Sequence, residues 1–411
     1  MHAPADARTA QRTVPAALPP AVVLNMHETG LGIARSLGRR GVCVIGLGAE
    51  PGAPGTATRY ATVRAAPDSR TEPDALVRFL EGLGAELGER AVLFPTNDAD
   101  LACLDRYRER LSRYFVLDVP ARALLHSITN KARLSAVARA HGLAAPVTRH
   151  VASLAELDAQ AAELVYPAVI KPVDTTAWRS GDFEARVGVR KGWRVADHAA
   201  CRAAYARIAQ VAPAALVQEW IDGPEDSYRV VGAAMAADGT ALGAFTARKR
   251  LQYPPGLGLG CLYEAQPDDA LMARTLGFLR AIGFAGVCEA EFKDDPRTGE
   301  PRLIEINPRH WDQHALGGAL GVDLPWLAYR ARIGLPAQPF QAAQGRAVWL
   351  RWPGIVGSLK EAVKARDPNV LRPLARSLRL RRCYAYWASD DPGPLVQALH
   401  TRWFRSPQRR H

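Results

Sequence analysis

The sequence contains few cysteines and few lysines, and it lacks any long apolar run. The six cysteines are widely separated in 411 residues and form no CxxC pair, so neither a zinc site nor a disulfide framework is indicated. No uninterrupted apolar stretch reaches the length of a membrane span, and the first twenty residues hold no apolar signal-peptide core. These absences predict a cytoplasmic protein without a membrane span.

The net charge of +12 is of the kind that nucleic-acid-binding proteins carry. Here, however, the basic residues are nearly all arginines, and they are spread along the whole chain. No basic run interleaved with aromatic residues and no zinc-finger spacing accompanies them. The sequence therefore predicts no nucleic-acid partner, and it favours a solvated basic surface that attracts anionic substrates.

The first part of the chain shows the pattern of a parallel α/β domain. Residues 1–20, rich in Ala, Pro and Arg, are expected to be a disordered leader. Residues 21–25 and 42–47 are apolar runs separated by a helical stretch, which is the order of a βαβ unit. The length of the chain suits two or three packed subdomains. We therefore expect an N-terminal α/β domain over residues 21–125.

After residue 125 the pattern changes to blocks of strands with fewer crossovers. This favours an antiparallel α+β domain over residues 126–335, divided at residue 215 into two subdomains. Residues 336–411 are Arg-rich and less patterned, and we expect them to be a basic C-terminal extension. The overall fold class is therefore an α/β domain followed by two α+β subdomains.

The strongest chemical motif is a predicted hairpin that carries Glu291 on one strand and Glu305 and Asn307 on the other. Residues two apart on a strand point to the same face, so Glu305 and Asn307 share a face that Glu291 can meet. Two carboxylates and an amide oxygen form a site suited to Mg²⁺. Arg309 extends this face and is placed to hold a phosphoryl or carboxylate group. The alternative is a surface hairpin, which explains poorly why a carboxylate interrupts the apolar run at 303–306.

Lysines and a strand exit precede this hairpin. Lys171 follows a β-branched strand and precedes a proline, and Lys131 lies near a predicted helix start; each taken alone is more often a surface lysine. A further strand ends in a tight turn after residue 221, where extended backbone at 219–221 can offer an N–H and a C=O group to an adenine edge. Glu225 follows the turn and can accept hydrogen bonds from ribose. An ordinary strand exit is the alternative.

In this order, the motifs resemble the ATP-grasp superfamily, and among its members the carboxylate–amine ligases. The resemblance covers residues 21–335 and implies an ATP-grasp fold that uses ATP and two Mg²⁺ ions, for which Mn²⁺ can substitute. It implies phosphate binding by Lys131 and Lys171, and metal binding by Glu291, Glu305 and Asn307. Arg309 is implied to stabilise the transferred phosphoryl group, with either Arg248 or Lys249 facing the γ-phosphate. The residues implied to bind the nucleoside are Gln218, Glu219, Trp220, Ile221 and Glu225.

One stretch departs from the family pattern. The loop after the second lysine is often rich in Gly and Ser and closes over the phosphates, whereas residues 174–183 hold a single glycine. The sequence leaves open whether this loop is a working lid, and Arg179 is a candidate substitute for its backbone contacts. Trp178 and Trp311 are expected either to shape a substrate pocket or to be core aromatics.

The function implied by the resemblance is ATP-dependent formation of an amide bond from a carboxylate and an amine, through an acyl phosphate. The expected partners are small molecules, among them an amino acid, and a homodimer is expected by analogy alone. A carboxylase or carbamoyl-phosphate type of ligase that activates bicarbonate is one alternative. The other is a nucleotide-binding protein without turnover, against which the intact Glu291, Glu305 and Asn307 set argues.

Overall fold

The computed structural model describes residues 18–173, 178, 183, 186–187, 192–255, 258–336, 338–343 and 345–404, without the side chains of residues 225, 369 and 402–404. Three β-sheets form within this described part of the chain. None of its helices is both long and apolar enough to cross a membrane.

The first sheet is parallel, with strand order β3-β2-β1-β4-β5. The central strand β1 is completely buried, which explains its unbroken apolar sequence. The strands are β1 (Ala21–Leu24), β2 (Val44–Gly48), β3 (Thr62–Ala65), β4 (Ala91–Phe94) and β5 (Phe115–Leu117). The helices are α1 (Glu28–Gly38), α2 (Pro73–Leu87), α3 (Asp98–Arg106) and α4 (Arg108–Leu111).

The second sheet is antiparallel, with order β6-β9-β7-β8, and two helices of the chain precede it. Lys131, which the sequence places near a helix start, is the first residue of the second of two consecutive helices, and the Asn130 side chain caps that helix. The helices are α5 (Arg122–Thr129), α6 (Lys131–Ala140), α7 (Leu154–Ala159) and α8 (His198–Ile208). The strands are β6 (Thr148–Val151), β7 (Ala168–Pro172), β8 (Trp193–Val195) and β9 (Ala215–Glu219).

The third sheet is the largest and has the order β14-β13-β10-β11-β12-β16-β17, with β15 paired to β11. Its strands are β10 (Tyr228–Met235), β11 (Ala241–Tyr253), β12 (Leu259–Ala265), β13 (Gly286–Asp294), β14 (Pro301–Asn307), β15 (Gln341–Ala342), β16 (Ala347–Leu350) and β17 (Arg381–Tyr384). The helices of this part are α9 (Asp269–Ala281), α10 (Ala315–Ala319), α11 (Leu324–Arg332), α12 (Trp352–Ala365), α13 (Leu371–Ser377) and α14 (Gly393–Phe404).

The C-terminal segment differs from its expected form. The sequence predicts residues 336–411 as a weakly patterned extension, but β15, β16 and β17 add this segment to the third sheet. The reason is the fully buried run Ala347–Leu350, which pairs with β12 and needs cover on both faces. Further along, Asp391 pairs with the buried Arg35 of α1 at 2.9 Å and so ties the segment to the first sheet's layer.

The apolar core is arranged so that one face of the third sheet is left for polar groups. Val231, Ala290 and Phe292 project from one side of this sheet and pack against α9. Because side chains alternate along a strand, the residues between them project from the opposite side. That opposite side carries the candidate functional residues.

Candidate active site

The hairpin formed by β13 and β14 has the register that the sequence predicts. Glu291 lies opposite Glu305, and Glu289 lies opposite Asn307, so four polar side chains share one face. The turn between the strands contains Gly299, whose φ of 73° suits glycine. Asn307 donates a hydrogen bond from Nδ2 to Glu289 Oε2 at 3.1 Å. The hairpin therefore presents a compact set of carboxylate and amide oxygens.

Lys131 reaches this set from the first turn of α6. Its Nζ atom lies 2.9 Å from Glu305 Oε2. The positive charge of Lys131 lowers the pKa of Glu305 to about 2, against the opposing effect of burial. In return, Glu305 raises the pKa of Lys131. Both groups are therefore charged at neutral pH.

Lys171 approaches from the second sheet, near the end of β7. Its Nζ atom donates to Gln218 Oε1 on the adjacent strand β9 at 2.8 Å, and Gln218 in turn donates to Thr148 at 3.0 Å. Burial, followed by the charge of Lys131, lowers the pKa of Lys171 to about 8. Two lysines that are 40 residues apart in sequence thus lie close enough to repel each other. An anion bound between the two lysines would offset this repulsion.

Lys249 is the basic residue of β11 that faces the hairpin carboxylates. Its Nζ atom lies 3.8 Å from Glu291 Oε2 and 3.8 Å from the ring centre of Tyr228. Arg248, the other candidate, pairs with Asp294 at 3.2 Å on the opposite side of the sheet. The reason is the alternation of side chains along the strand. The structure therefore separates Arg248 from the carboxylates.

Two charged residues outside the predicted set complete the same face. Burial, followed by the nearby charge of Glu291, raises the pKa of Glu289 to about 8. Lys293 is buried, with its Nζ atom 5.0 Å from the ring centre of Tyr228, and burial lowers its pKa. Both could have been found from the sequence, because Glu289, Glu291 and Lys293 alternate along one strand.

The strand expected to frame adenine is partly committed to contacts within the protein. The backbone N–H of Glu219 donates to Val147 O, and that of Trp220 donates to Pro167 O, both at 2.8 Å. The Glu219 side chain pairs with Arg302 at 3.2 Å and with Arg297. The two N–H groups are therefore not free donors to a nucleotide, because they bond to segments beside β6 and β7. The Glu219 carboxylate joins β9 to the β13–β14 hairpin.

The last part of the predicted nucleoside site lies beside this strand. Ile221 follows it and is buried. Glu225 begins the short 3₁₀ turn Glu225–Ser227, and its side chain lies outside the described residues.

The carboxyl ends of the parallel strands face this site. Arg309 donates from Nε to Asp98 at 2.7 Å, and Asp98 begins α3 directly after β4. Thr29, in the first turn of α1 after β1, donates to Asp312 at 2.8 Å. Open parallel sheets bind ligands at this edge. Arg309 therefore lies between the hairpin and the ligand-binding edge of the first sheet.

A charged group that was not predicted lies at the same edge. Glu28 of α1 accepts a hydrogen bond from the hydroxyl of Tyr386 and lies 3.8 Å from Arg351 Nη1. Burial and the charge of Glu28 raise the pKa of the neighbouring Asp312. These four residues come from distant parts of the chain, and no local sequence pattern connects them.

The two tryptophans lie in cores. Trp178 stacks on Phe183 with ring centres 4.9 Å apart in the core of the second sheet. Trp311 is 2% exposed and stacks on Phe245. Both positions fit the expected alternative of core aromatics. Apart from Trp178 and Phe183, the candidate lid at 174–183 and its Arg179 lie outside the described residues.

The predicted metal ligands fit a hard divalent cation by their chemistry. Glu291, Glu305 and Asn307 offer oxygen donors, the type that Mg²⁺ prefers. Burial raises the pKa of Glu291, and the facing charge of Glu305 adds to this effect, a repulsion that a cation would relieve. Among the described residues, no group of three or more His, Cys, Asp and Glu side chains could by itself hold a metal. An ion here would therefore need further oxygen donors.

Comparison with curated proteins gives a distant relative. The chain is 22% identical over 243 residues to the D-aspartate ligase of Enterococcus faecium (strain Aus0004), covering 57% of each protein. The chain spans between 32% and 57% of the length of the curated relatives it matches. No family model matches the chain.

Solved structures resemble the chain over more of its length. The biotin carboxylase domain of Hydrogenobacter thermophilus 2-oxoglutarate carboxylase, in complex with MgADP, has a TM-score of 0.62 and 16% identity, covering 80% of this chain and 74% of that one. The L-amino acid ligase of Bacillus licheniformis has a TM-score of 0.56 and 17% identity, covering 77% and 75%. The arrangement of a parallel sheet before an antiparallel sheet and a largely antiparallel one is thus confirmed, and the chain has the ATP-grasp fold.

Proposed function

We propose that this protein uses ATP to activate a carboxylate as an acyl phosphate and then joins it to an amine. The observation that carries this proposal is the convergence of three lysines on the hairpin carboxylates. Lys131 lies 2.9 Å from Glu305, and Lys249 lies 3.8 Å from Glu291. Lys171 lies beside them and is partly buried, and burial and the charge of Lys131 lower its pKa. Such a mixed array suits a polyphosphate accompanied by a divalent cation.

The three lysines take the phosphate groups in this proposal. Lys131 and Lys171 neutralise the phosphates of ATP, and Gln218 keeps Lys171 in place through its 2.8 Å contact. Lys249 faces the γ-phosphate. Charge neutralisation in a buried site is worth more than in water, because the low dielectric strengthens each contact.

The nucleoside lies at the edge between the second and third sheets. Because the N–H groups of Glu219 and Trp220 bond elsewhere, we assign the N–H of Ile221 as the donor to adenine. The carbonyl of Glu219 serves as the acceptor on the same edge. Glu225 remains the candidate for the ribose hydroxyls.

Glu291, Glu305 and Asn307 would hold two Mg²⁺ ions, for which Mn²⁺ can substitute. When bound, the ions supply neutralisation of charge on the phosphate oxygens. The phosphates in turn provide the additional oxygen donors that this set needs. Loss of one carboxylate would weaken the binding of both the ion and the nucleotide.

The reaction proceeds in two steps. A carboxylate oxygen attacks the γ-phosphorus, the bond to the bridging oxygen breaks, and ADP leaves. Arg309 then faces the new acyl phosphate and neutralises its charge. The amine attacks the acyl carbon, phosphate leaves with the former carboxylate oxygen, and the amine nitrogen loses a proton. The products are ADP, phosphate and an amide.

The carboxylate and the amine bind at the edge where the parallel strands of the first sheet meet Arg309. The Arg309–Asp98 contact and the Thr29–Asp312 contact mark this edge. The D-aspartate ligase relative and the L-amino acid ligase neighbour make amino acids the first candidates for both substrates. A homodimer is proposed by analogy only. The mass of the purified protein in solution would test it.

The test uses hydroxylamine in place of the unknown amine. The purified protein is incubated with Mg-ATP, hydroxylamine and one acid at a time, beginning with D- and L-aspartate, and ADP, phosphate and hydroxamate are measured together. We expect the three products in equal amounts with one acid of the panel. Release of AMP and pyrophosphate would contradict the acyl-phosphate mechanism. ADP formation that depends on bicarbonate alone would instead support the carboxylase alternative.

A further inference from the structure

The segment 352–384, which contains α12 and α13, exposes several large apolar side chains to solvent. Val363 is 78% exposed, Leu378 is 69% exposed and Leu371 is 57% exposed. Trp352 and Val356 are exposed as well. A single exposed aliphatic residue is ordinary, but a group of five in one segment indicates an interaction surface.

On α12 these side chains lie on one stripe. At about 100° per residue, Trp352, Val356 and Val363 fall within roughly 40° of one another on the helix circumference. The buried face of the helix, which includes Ile355 and Ser358, lies on the opposite side. The stripe therefore points away from the protein body, as the membrane-facing side of an interfacial helix does.

Lysines flank this stripe on one side. Lys360 and Lys364 are exposed and fall about 80° to 120° from Trp352 on the same helix circumference. Lys364 also contacts Glu361 at 2.9 Å, but its side chain remains 71% exposed. The outer surface of α12 thus combines an apolar stripe with a basic border.

The same arrangement recurs on α13. Leu371, Ala375 and Leu378 are exposed and fall within about 60° of one another, taking the helical spacing through Leu378 at its C-cap. Arg372 and Arg376 are exposed beside them. Two consecutive helices thus present an apolar stripe with basic residues on the same flank.

Both helices cover the same side of the third sheet. Ile355 of α12 belongs to a small core with Val348 and Leu350, and Leu374 of α13 packs against that core. Since both helices bury one face on this core, their exposed stripes point outward from the same side of the protein. The neighbouring Trp349 projects to the other side, where it meets Tyr263 and the active-site face. The exposed stripes and the candidate active site therefore lie on opposite sides of the sheet.

The charge of this segment is strongly one-sided. Residues 352–384 contain eight basic residues against two acidic ones, Glu361 and Asp367, which is half of the net charge of +12 of the whole chain. All eight basic residues are exposed: Lys360, Lys364, Arg366, Arg372, Arg376, Arg379, Arg381 and Arg382. We call the outer surface formed by these residues and the five exposed apolar side chains the basic–apolar face.

We propose that the basic–apolar face binds the surface of an anionic lipid bilayer. Its positive charge is complementary to anionic headgroups, and its aliphatic stripes and Trp352 suit the boundary between headgroups and acyl chains. A polyanion without an apolar layer, such as RNA, would leave those stripes in water. Because the candidate active site is on the other side of the sheet, docking leaves it open to soluble substrates.

The test measures sedimentation of the full chain with vesicles of phosphatidylcholine alone or mixed with phosphatidylglycerol. We expect binding to the mixed vesicles at low ionic strength and at least tenfold weaker binding to the neutral ones. Screening by added salt should weaken the binding further. Equal binding to both vesicle types, or none to the anionic ones, would overturn the proposal.

Two variants separate charge from apolar contact. One carries Lys360→Gln, Lys364→Gln, Arg372→Gln and Arg379→Gln, and leaves Arg376 in place because it pairs with Glu264 at 3.0 Å. The other carries Val363→Ser, Leu371→Ser and Leu378→Ser. Each should lower partitioning at least about tenfold, since the four basic residues attract the anionic surface and the three aliphatic side chains bury apolar area.

The matched control carries Val396→Ser and Leu399→Ser on α14, which are 64% and 50% exposed but lie outside the basic–apolar face. Circular dichroism and thermal unfolding check that every variant folds. A control that loses binding as strongly as the two test variants would overturn the proposal. So would RNA binding that competes with vesicles and is unchanged in the serine variant, because that result assigns the surface to nucleic acid.

Discussion

The two faces of the hairpin β13–β14 have the same backbone but opposite chemistry. One face places Ala290, Phe292 and Ile306 in an apolar core against α9. The other face carries Glu289, Glu291, Glu305 and Asn307 in register across the strands. Burying carboxylates is costly, and burial together with mutual repulsion raises the pKa of Glu289 and Glu291. The first face thus contributes stability, whereas the second retains charges that the fold does not need.

The largest expected effect comes from the charged face. Glu305→Gln removes a carboxylate that Lys131 holds at 2.9 Å. We expect turnover to fall by about a thousandfold or more, because an electrostatic contact at the reacting phosphate is lost. The melting temperature should stay within a few degrees of the wild type, measured by thermal unfolding beside the hydroxamate assay. Activity equal to that of the wild type would remove Glu305 from the metal assignment.

The matched change on the apolar face is Phe292→Ala. Phe292 is completely buried, so the free energy of unfolding should fall by about 3–5 kcal/mol. Turnover per folded molecule should be largely retained at low temperature. Urea unfolding gives the first quantity, and kcat corrected for the folded fraction gives the second. An inactive but fully stable Phe292→Ala protein would break the comparison between the two faces.

Neighbouring basic residues on β11 sharpen the same comparison. Lys249→Met should lower turnover about a hundredfold, because Lys249 lies on the charged face 3.8 Å from Glu291. Arg248→Met removes the pair with Asp294 on the other face and should leave kcat within about twofold. Its effect on the free energy of unfolding should be about 1 kcal/mol. Steady-state kinetics of both variants check this, and a reversed order would contradict the assigned strand facing.

The pKa of Lys171 predicts how the kinetics depend on pH. Burial and Lys131 lower its pKa to about 8, so it is charged below that pH and loses its charge above it. The value of kcat/KM for ATP should therefore fall as the pH rises through about 8, since this quantity reports the free enzyme. Lys171→Arg should move the decline to higher pH, because arginine stays protonated. An identical decline in that variant would assign the titration to another group.

The smallest expected effect concerns Gln218. Its side chain holds Lys171 at 2.8 Å and touches no reacting group in the proposed arrangement. Gln218→Ala should raise KM for ATP by roughly threefold to tenfold, the net contribution of one hydrogen bond that positions Lys171, with kcat nearly unchanged. A loss confined to kcat would mean that Gln218 acts in the chemical step.

Much of the hairpin could be predicted because its signals are local. The spacing of Glu305 and Asn307, the apolar residues between them and the turn at Gly299 define two strands and a face without any tertiary information. The parallel first sheet could be predicted equally well, since β1 and β2 are short apolar runs with a helix between them. Lys131 and Lys171 stood out in the sequence because the chain has so few lysines, and the structure brings both to the hairpin carboxylates.

The contacts that join distant segments could not be predicted. Arg309 and Asp98 are 211 residues apart, and Glu28 meets Arg351 across most of the chain. The choice between Arg248 and Lys249 depended on which strand face each residue takes, and β11 contains register shifts after Lys249 that no local pattern reveals. The strand Ala347–Leu350 was missed because its short apolar run is followed by a long Arg-rich segment.

The central claim is that a carboxylate oxygen is transferred to phosphate through an acyl phosphate. The most direct test supplies the accepted acid with both carboxylate oxygens labelled as ¹⁸O and analyses the released phosphate by mass spectrometry. The account predicts one ¹⁸O atom in each phosphate, formed together with one ADP. Unlabelled phosphate, or label appearing in AMP, would contradict it.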